Sequence, residues 1–255
     1  MPNFNGVWSL TTQLQYNVDW PVFSQPRALF LGGNTGSKET VIQFIDVTTT
    51  GNASDFGDLT AGRASLMSAS SKIRAVAAGG NTGSAVNVID YVTIASEGNA
   101  SDFGDLSSTS QEGTGTGSST RGLFQLGLAT DNVNTIEYVT IASTGNATDF
   151  GDRTTTAAYG QDSAVSSPTR GVFSGGFISS SVNIIDYVTI ASTGDATDFG
   201  DTSVTRYGMG GASSATRGVF GGGNTSGDTM DYITIASTGN ASDFGNLTIS
   251  PRYLG

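Results

Sequence analysis

Asp-Phe-Gly occurs five times in this chain at nearly constant spacing. Successive copies are 47, 47, 49 and 45 residues apart, and a second landmark, an arginine that precedes a short apolar run, keeps step with them. The phenylalanines are Phe56, Phe103, Phe150, Phe199 and Phe244, and the arginines are Arg27, Arg74, Arg121, Arg170 and Arg217. A period of this length is typical of repeat architectures, in which each copy is one supersecondary unit. The sequence therefore predicts five copies of one unit.

Each copy contains four short strand patterns. Around Arg217 they are residues 206 to 213, 217 to 223, 231 to 235 and 243 to 247. The chain has 36 glycines and many Ser, Thr, Asn and Asp residues between runs of Val, Ile, Tyr and Phe, a composition that favours short strands joined by tight turns. We expect an all-β protein.

The third strand pattern of each copy determines how the sheets must pack. Residues 88 to 94, Val-Ile-Asp-Tyr-Val-Thr-Ile, carry apolar side chains on both faces. After this strand comes Ser/Thr-Gly-Asn, as in residues 144 to 146, which suits a hairpin between antiparallel strands. A lone four-stranded sheet cannot bury two faces, whereas sheets arranged radially cover one another. The sequence predicts a five-bladed β-propeller with four antiparallel strands per blade, closed by a terminal strand.

Glycine pairs follow the second strand pattern in four copies, and we expect them to end strands near the axis, where neighbouring blades crowd the backbone. The pairs are Gly32-Gly33, Gly79-Gly80, Gly175-Gly176 and Gly222-Gly223. The third copy has Leu126 before Gly127 instead, but its other landmarks keep register. We count it as a blade.

These features resemble the kelch repeat, in which a glycine pair ends one strand, a tyrosine marks the next and an aromatic residue marks the outer strand. The resemblance covers residues 24 to 255. Phe stands here where kelch repeats usually have Trp, and the acidic residue precedes the tyrosine instead of following it. The resemblance implies a kelch-like propeller.

The amino-acid sequence of the copies resembles a second group of repeat proteins. Residues 138 to 152, Tyr-Val-Thr-Ile-Ala-Ser-Thr-Gly-Asn-Ala-Thr-Asp-Phe-Gly-Asp, and the opening residues 6 to 10, Gly-Val-Trp-Ser-Leu, look like repeat proteins of tailed bacteriophages that infect aquatic bacteria. Those proteins are generally taken as virion components such as tail fibres. The resemblance implies an external virion location and partners among other virion proteins.

Composition excludes several kinds of chemistry. The chain has no histidine and no cysteine, which removes imidazole bases, thiol nucleophiles, disulfides and the usual zinc ligands. Its formal net charge of −11 disfavours a nucleic-acid partner. No apolar run is long enough for membrane insertion, and no signal peptide is visible. We expect no cofactor and no enzymatic activity, and five tandem copies of Asp-Phe-Gly argue against the kinase triplet.

Carboxylates around the phenylalanine could bind calcium, and Asp195, Asp198 and Asp201 are the candidates. The structural alternative is that the aspartate before each phenylalanine caps a turn or pairs with a repeat arginine. These aspartates are Asp55, Asp102, Asp149, Asp198 and Asp243. The five arginines could also form an anion-binding ring, for which repeated structural pairs are the alternative.

The two ends of the chain suggest how the ring closes. Residues 247 to 254 copy the start of a first strand and are predicted to add to the blade that begins at Arg27, with residues 10 to 20 as the competing strand. Residues 1 to 20 match no copy and contain the two tryptophans, Trp8 and Trp20, which either cover an end of the propeller or form a docking arm. Residues 21 to 255 form the propeller domain.

The function predicted from these features is that of a non-enzymatic structural component of a tailed phage. We expect a tail-fibre or external-appendage propeller in an oligomeric assembly, used in assembly or in attachment to a host surface glycan or receptor. A propeller lectin with equivalent glycan-binding blade loops is the alternative. A hydrolase with a site in the central channel is a third class, and it needs asymmetric polar residues that the sequence does not display.

Overall fold

The computed structural model describes residues 26–128, 133–157, 163–224 and 227–251. Within these ranges the regular secondary structure consists of β-strands. Blade one contains β1 (Arg27–Leu31), β2 (Val41–Asp46) and β3 (Ser54–Asp58). Blade two contains β4 (Met67–Ser70), β5 (Arg74–Ala78), β6 (Val86–Thr93) and β7 (Ser101–Ser110). Blade three contains β8 (Thr114–Gly117), β9 (Arg121–Gln125), β10 (Val133–Thr140) and β11 (Thr148–Ala157). Blade four contains β12 (Ser163–Ser166), β13 (Arg170–Ser174), β14 (Ile184–Thr189) and β15 (Thr197–Asp201). Blade five contains β16 (Gly210–Ser213), β17 (Arg217–Gly221), β18 (Thr229–Thr234) and β19 (Ser242–Asn246).

Each sheet is a meander in which strands that follow one another in sequence pair antiparallel. The innermost strands β4, β8, β12 and β16 contact one another in succession, and β1 borders the same central cavity. The predicted five-bladed β-propeller with four antiparallel strands per blade is confirmed. In blade one, three of the strands lie within the described residues, and β1 occupies the place that the second strand has in the other blades.

The hydrophobic core lies between blades and not within one sheet. One buried cluster joins blades one and two, and further clusters join blades two and three, three and four, and four and five. Ile89, for example, is fully buried on β6, and Phe103 on β7 packs with Val139 and Ile141 of the next blade. For blades two, three and four, this arrangement confirms that both faces of a sheet are covered by flanking copies.

A β-bulge in the outer strand explains why Asp-Phe-Gly recurs. In blade two, Ile89 pairs with Gly104 and the next residue, Asp90, pairs with Asp102, so that Phe103 has no partner on β6. The same shift occurs in every blade. A bulge re-aims the extra side chain. In blades one to four it directs the phenylalanine into the core between two blades.

The glycine pairs end second strands, as predicted. Gly79 has φ +62°, a left-handed conformation that favours glycine, and a Cβ there would lie 2.5 Å from the backbone oxygen of Ser110. The crowding comes from the segment that leads from the outer strand to the next blade. In the third copy Leu126 is buried in the core, so this blade forms without the pair.

Only part of the predicted ring closure falls on described residues. The N–H of Leu247 donates to the carbonyl of Asp228 (2.7 Å), and the carbonyl of Pro251 accepts from Gly223 (3.1 Å), so residues 247 to 251 follow blade five. This part of the segment does not confirm the predicted addition to blade one. Residues 252 to 254 and the competing residues 10 to 20 lie outside the described residues, as do Trp8 and Trp20.

Candidate functional site: the central cavity and the junctions between blades

The innermost strands surround a cavity of about 610 Å³ on the propeller axis. Its wall combines hydroxyl groups, as at Ser68 and Thr114, with apolar side chains such as Phe30 and Met67. Glu112 is the charged residue of the described wall. A wall of this kind provides hydrogen-bonding groups and one carboxylate, which suits binding of a polar ligand more than covalent chemistry.

Strained backbone lies at this wall, immediately before the innermost strands. Ser65 has φ +55° and Glu112 has φ +60°, and these residues hold the same place in consecutive blades. The Glu112 N–H donates to the carbonyl of Ser65 (3.0 Å). Such a conformation costs a non-glycine residue on the order of 1 kcal/mol. The strain accompanies the turn that returns the chain from the outer edge of one blade to the axis.

Four of the five repeat arginines bridge neighbouring blades. Arg74 Nη1 donates to the carbonyl of Ile141 in blade three (3.1 Å), and its guanidinium carbon lies 4.5 Å from the centre of the Tyr91 ring in its own blade. The corresponding hydrogen bonds join Arg27 to Ile94 (3.1 Å), Arg121 to Ile190 (2.9 Å) and Arg170 to Ile235 (2.9 Å). The arginines are therefore structural, but their acceptor is a carbonyl and not the aspartate of Asp-Phe-Gly. Stacking on an aromatic face adds a cation–π attraction.

Buried ion pairs form a second set of bridges, which the sequence analysis missed. Arg63 Nη2 lies 2.6 Å from Asp90 Oδ2, and both side chains are almost fully buried. Burial lowers the pKa of the Arg63 guanidinium, and the charge of Asp90 opposes that shift. Equivalent pairs are Arg153 with Asp186 (2.9 Å) and Arg206 with Asp231 (2.7 Å). An acidic residue inside an apolar strand was the available signal, because such a group needs a buried partner.

Backbone hydrogen bonds complete each junction. The N–H of Gly98, in the turn of blade two, donates to the carbonyl of Phe56 in blade one (2.8 Å). A Cβ on Gly57 would lie 2.4 Å from the carbonyl oxygen of Gly98, so the glycine of Asp-Phe-Gly is required by the neighbouring blade. Equivalent bonds run from Gly145 to Phe103, from Gly194 to Phe150 and from Gly239 to Phe199.

The junction of blade five with blade one differs from these four. Phe244 is 47 % exposed, whereas the other four phenylalanines are 2 % exposed. Arg217 stacks on Tyr232 but has no carbonyl acceptor within the described parts of the chain, and no atom lies within 4 Å of a Cβ built on Gly245. On blade one, Phe30 and Val47 are 54 % and 60 % exposed. Apolar side chains of both blades thus contact solvent at this junction.

The proposed calcium ligands do not converge. Asp195 Oδ1 accepts the backbone N–H of Asp152 (3.0 Å), and Asp198 lies exposed on the outer strand, three residues before Asp201. Among residues 26–128, 133–157, 163–224 and 227–251 no group of three acidic residues is placed to hold a metal ion. The calcium interpretation therefore has no geometric support in this part of the chain. The aspartates before the five phenylalanines are all exposed.

No protein-family model and no curated protein sequence matches the chain. Within the described ranges no helix is long and apolar enough to cross a membrane.

Proposed function

We propose that this protein is a non-enzymatic structural component of a tailed-phage virion, in which a kelch-like propeller forms part of a tail fibre or another external appendage. The observation that carries the proposal is that buried charged side chains form ion pairs between blades and do not line an open site. Arg63, Arg206 and their aspartate partners lie between blades, where they hold sheets together. The assignment to a phage rests on the resemblance of the repeat sequence to proteins of tailed bacteriophages.

The rigid construction of the described junctions suits a mechanical role. Each of the four similar junctions combines an apolar cluster, an arginine–carbonyl bond and a backbone hydrogen bond from a turn glycine. Neighbouring units that repeat the same interface add stability in proportion to their number. A propeller of this kind presents its loops in fixed positions, which is what attachment to other virion proteins or to a host receptor requires.

Antibodies raised against the purified chain provide the test. They are applied to intact particles of the phage whose genome carries this gene and are viewed by immunogold electron microscopy, with mass spectrometry of the particles in parallel. We expect labelling at the tail or an appendage and peptides from the chain in the particle. Particles free of both label and peptides contradict the proposal, as does a gene that lies outside any phage-like cluster.

A propeller lectin is the second candidate, and the polar turns that follow the glycine pairs favour it. Asn34 Oδ1 accepts the N–H of Gly36 (3.1 Å), and Asn81 Oδ1 accepts the N–H of Gly83 (2.8 Å), so two blades present the same turn. Repeated weak sites gain strength through multivalency. A glycan array followed by calorimetry distinguishes the candidates, because a lectin binds several equivalents per chain and a purely structural protein binds none.

A further inference from the structure

Strand β1 has one unpaired edge within the described structure. It pairs with β2 on one side, and on its other side lies a groove of about 310 Å³ that separates it from blade two. Leu29 and Leu31 of β1 form one wall, and Ala69 and Ala75 of blade two form the other. Unpaired backbone groups beside an apolar groove favour the addition of a strand.

We propose that residues 20 to 23 of this chain, Trp-Pro-Val-Phe, fill this groove as the innermost strand of blade one. The strand differs from both closing strands predicted from the sequence, because it ends three residues before Pro26, shares only Trp20 with residues 10 to 20 and includes none of residues 247 to 254.

The turn before each repeat arginine fixes the register. In blade two, the N–H of Ser71 donates to the carbonyl of Arg74 (2.9 Å), and Ser71 Oγ accepts the N–H of Arg74 (3.1 Å). The same serine-to-arginine turn occurs at Ser118, Ser167 and Ser214, and the innermost strand always ends one residue before the serine. Ser24 stands at this distance from Arg27. The spacing therefore assigns residues 20 to 23 to the strand.

A hydrogen bond shows that Pro26 holds the position in blade one that Ile73 holds in blade two. The carbonyl of Pro26 accepts the N–H of Val47 (2.8 Å), as the carbonyl of Ile73 accepts the N–H of Ile94 (2.8 Å) in blade two. The chain therefore enters β1 from the same side as it enters β5.

The side chains of the segment suit the groove. In this register Val22 corresponds to Ala69 and Val165, which are 7 % and 2 % exposed, and Trp20 corresponds to Met67, which is 1 % exposed. Pro21 corresponds to Ser68. Along β4, residues whose N–H groups bond to β5 alternate with residues whose N–H groups point away from it, and Ser68 belongs to the second set. Its nitrogen faces the axis and not the neighbouring strand, so that a proline is tolerated there.

The proposal gives the two tryptophans different roles. Trp20 belongs to the propeller, and residues 1 to 19 leave from the end of the strand that lies beside the strained turns at Ser65 and Glu112. Trp8 is then the tryptophan available to a partner, which deepens the proposed function without depending on it.

Engineered cysteines test the strand, since the native chain has none. In the next junction, Ala69 Cβ lies 3.0 Å from a Cβ built on Gly122, and the corresponding pair across the groove is Val22 with Ala75. This distance is close to the range that a disulfide spans. We expect the double variant Val22→Cys, Ala75→Cys to lose both free thiols under mild oxidation. The matched control, Phe23→Cys with Ala75→Cys, places the first cysteine on the opposite face and keeps both thiols.

Free thiols in both variants, or equal loss in both, overturn the proposal. A fluorescence measurement covers the case in which either variant fails to fold. In Trp8→Phe the remaining tryptophan is Trp20, and its emission should shift to the red on urea unfolding with the same midpoint as the circular dichroism signal. Emission that is already that of a solvated indole in the native protein also overturns it. Both experiments are independent of phage particles, so their failure is distinct from failure of the proposed function.

Discussion

The buried pair between Arg206 and Asp231 provides the strongest prediction for stability. Asp231 accepts hydrogen bonds from Arg206 Nη2 (2.7 Å), from the Ser203 N–H (3.1 Å) and from the Ser203 hydroxyl (2.7 Å), and both charged side chains are 0 % exposed. Asp231→Ala leaves the guanidinium buried without a counter-ion and two Ser203 donors without an acceptor. Breaking a buried pair in this way costs about 3 to 5 kcal/mol.

That cost is a large part of the total stability of a domain, which is about 5 to 15 kcal/mol. For a domain of this size each kcal/mol corresponds to about 2 to 4 °C, so the melting temperature should fall by about 6 to 20 °C. Urea unfolding followed by circular dichroism measures the free energy directly. Asp198→Ala is the matched control, because Asp198 is exposed on an outer strand, and its effect should stay within about 0.5 kcal/mol.

A loss of less than about 1 kcal/mol in Asp231→Ala refutes the reasoning, because buried, unpaired charge costs more than that. A double exchange separates charge from packing. Arg206→Met combined with Asp231→Leu removes both charges and keeps apolar volume, and we expect it to recover most of the lost stability. Equal destabilisation in the double and single variants would show that the site needs hydrogen bonds to Ser203 more than it needs the ion pair.

Three further comparisons test individual contacts. Arg170→Met removes a charged hydrogen bond that Arg217→Met does not, so it should cost about 1.5 to 3 kcal/mol more in urea unfolding, and equal costs contradict this. Gly200→Ala forces a Cβ to within 2.6 Å of backbone atoms in the next blade, whereas Gly245→Ala meets nothing; both have positive φ, so a clearly larger melting-temperature loss is expected for the first. Hydrogen bonds from the hydroxyl and N–H of the threonine two residues later lower the pKa of Asp46 below 3.8, so its contribution is present above that pH and is lost as pH falls through the lowered pKa. The melting temperature of Asp46→Asn should therefore depend less on pH below about 4 than that of the wild type.

The five-bladed fold could be predicted because the repeat is visible without any alignment and because its strands pair with their sequence neighbours. The third strand, apolar on both faces, then required a sheet on either side. The bulge could not be predicted in this way. Phe103 reads as an ordinary strand residue, and only the pairing of Gly104 and Asp102 with adjacent residues of β6 reveals that it is the extra residue.

The ion pairs escaped prediction because their arginines do not occupy one repeat position. Arg63 and Arg206 lie seven residues after the phenylalanine of their blade, whereas Arg153 lies three residues after Phe150. The long arginine side chain can reach the equivalent aspartate of the next blade from either of these two backbone positions. The sequence analysis instead paired the repeat arginines with the aspartates of Asp-Phe-Gly. In the structure these arginines donate to carbonyl oxygens.

The junction of blade five with blade one is the feature that is hardest to predict from a repeated sequence. Blade five carries Arg217, Phe244 and Gly245, and blade one carries the turn glycine Gly51 and has Val47 at the position where the other junctions have isoleucine. Burying the phenylalanine alone contributes about 1.5 to 3 kcal/mol. The φ of Gly245, +128°, already favours glycine at this position, and a second reason arises if a turn like those at the other four junctions approaches it. Because alanine at positive φ is strained at both positions, a cost of Gly245→Ala equal to that of Gly200→Ala would mean that blade one docks on blade five in solution, and the smaller cost expected above means that this face is left for a partner.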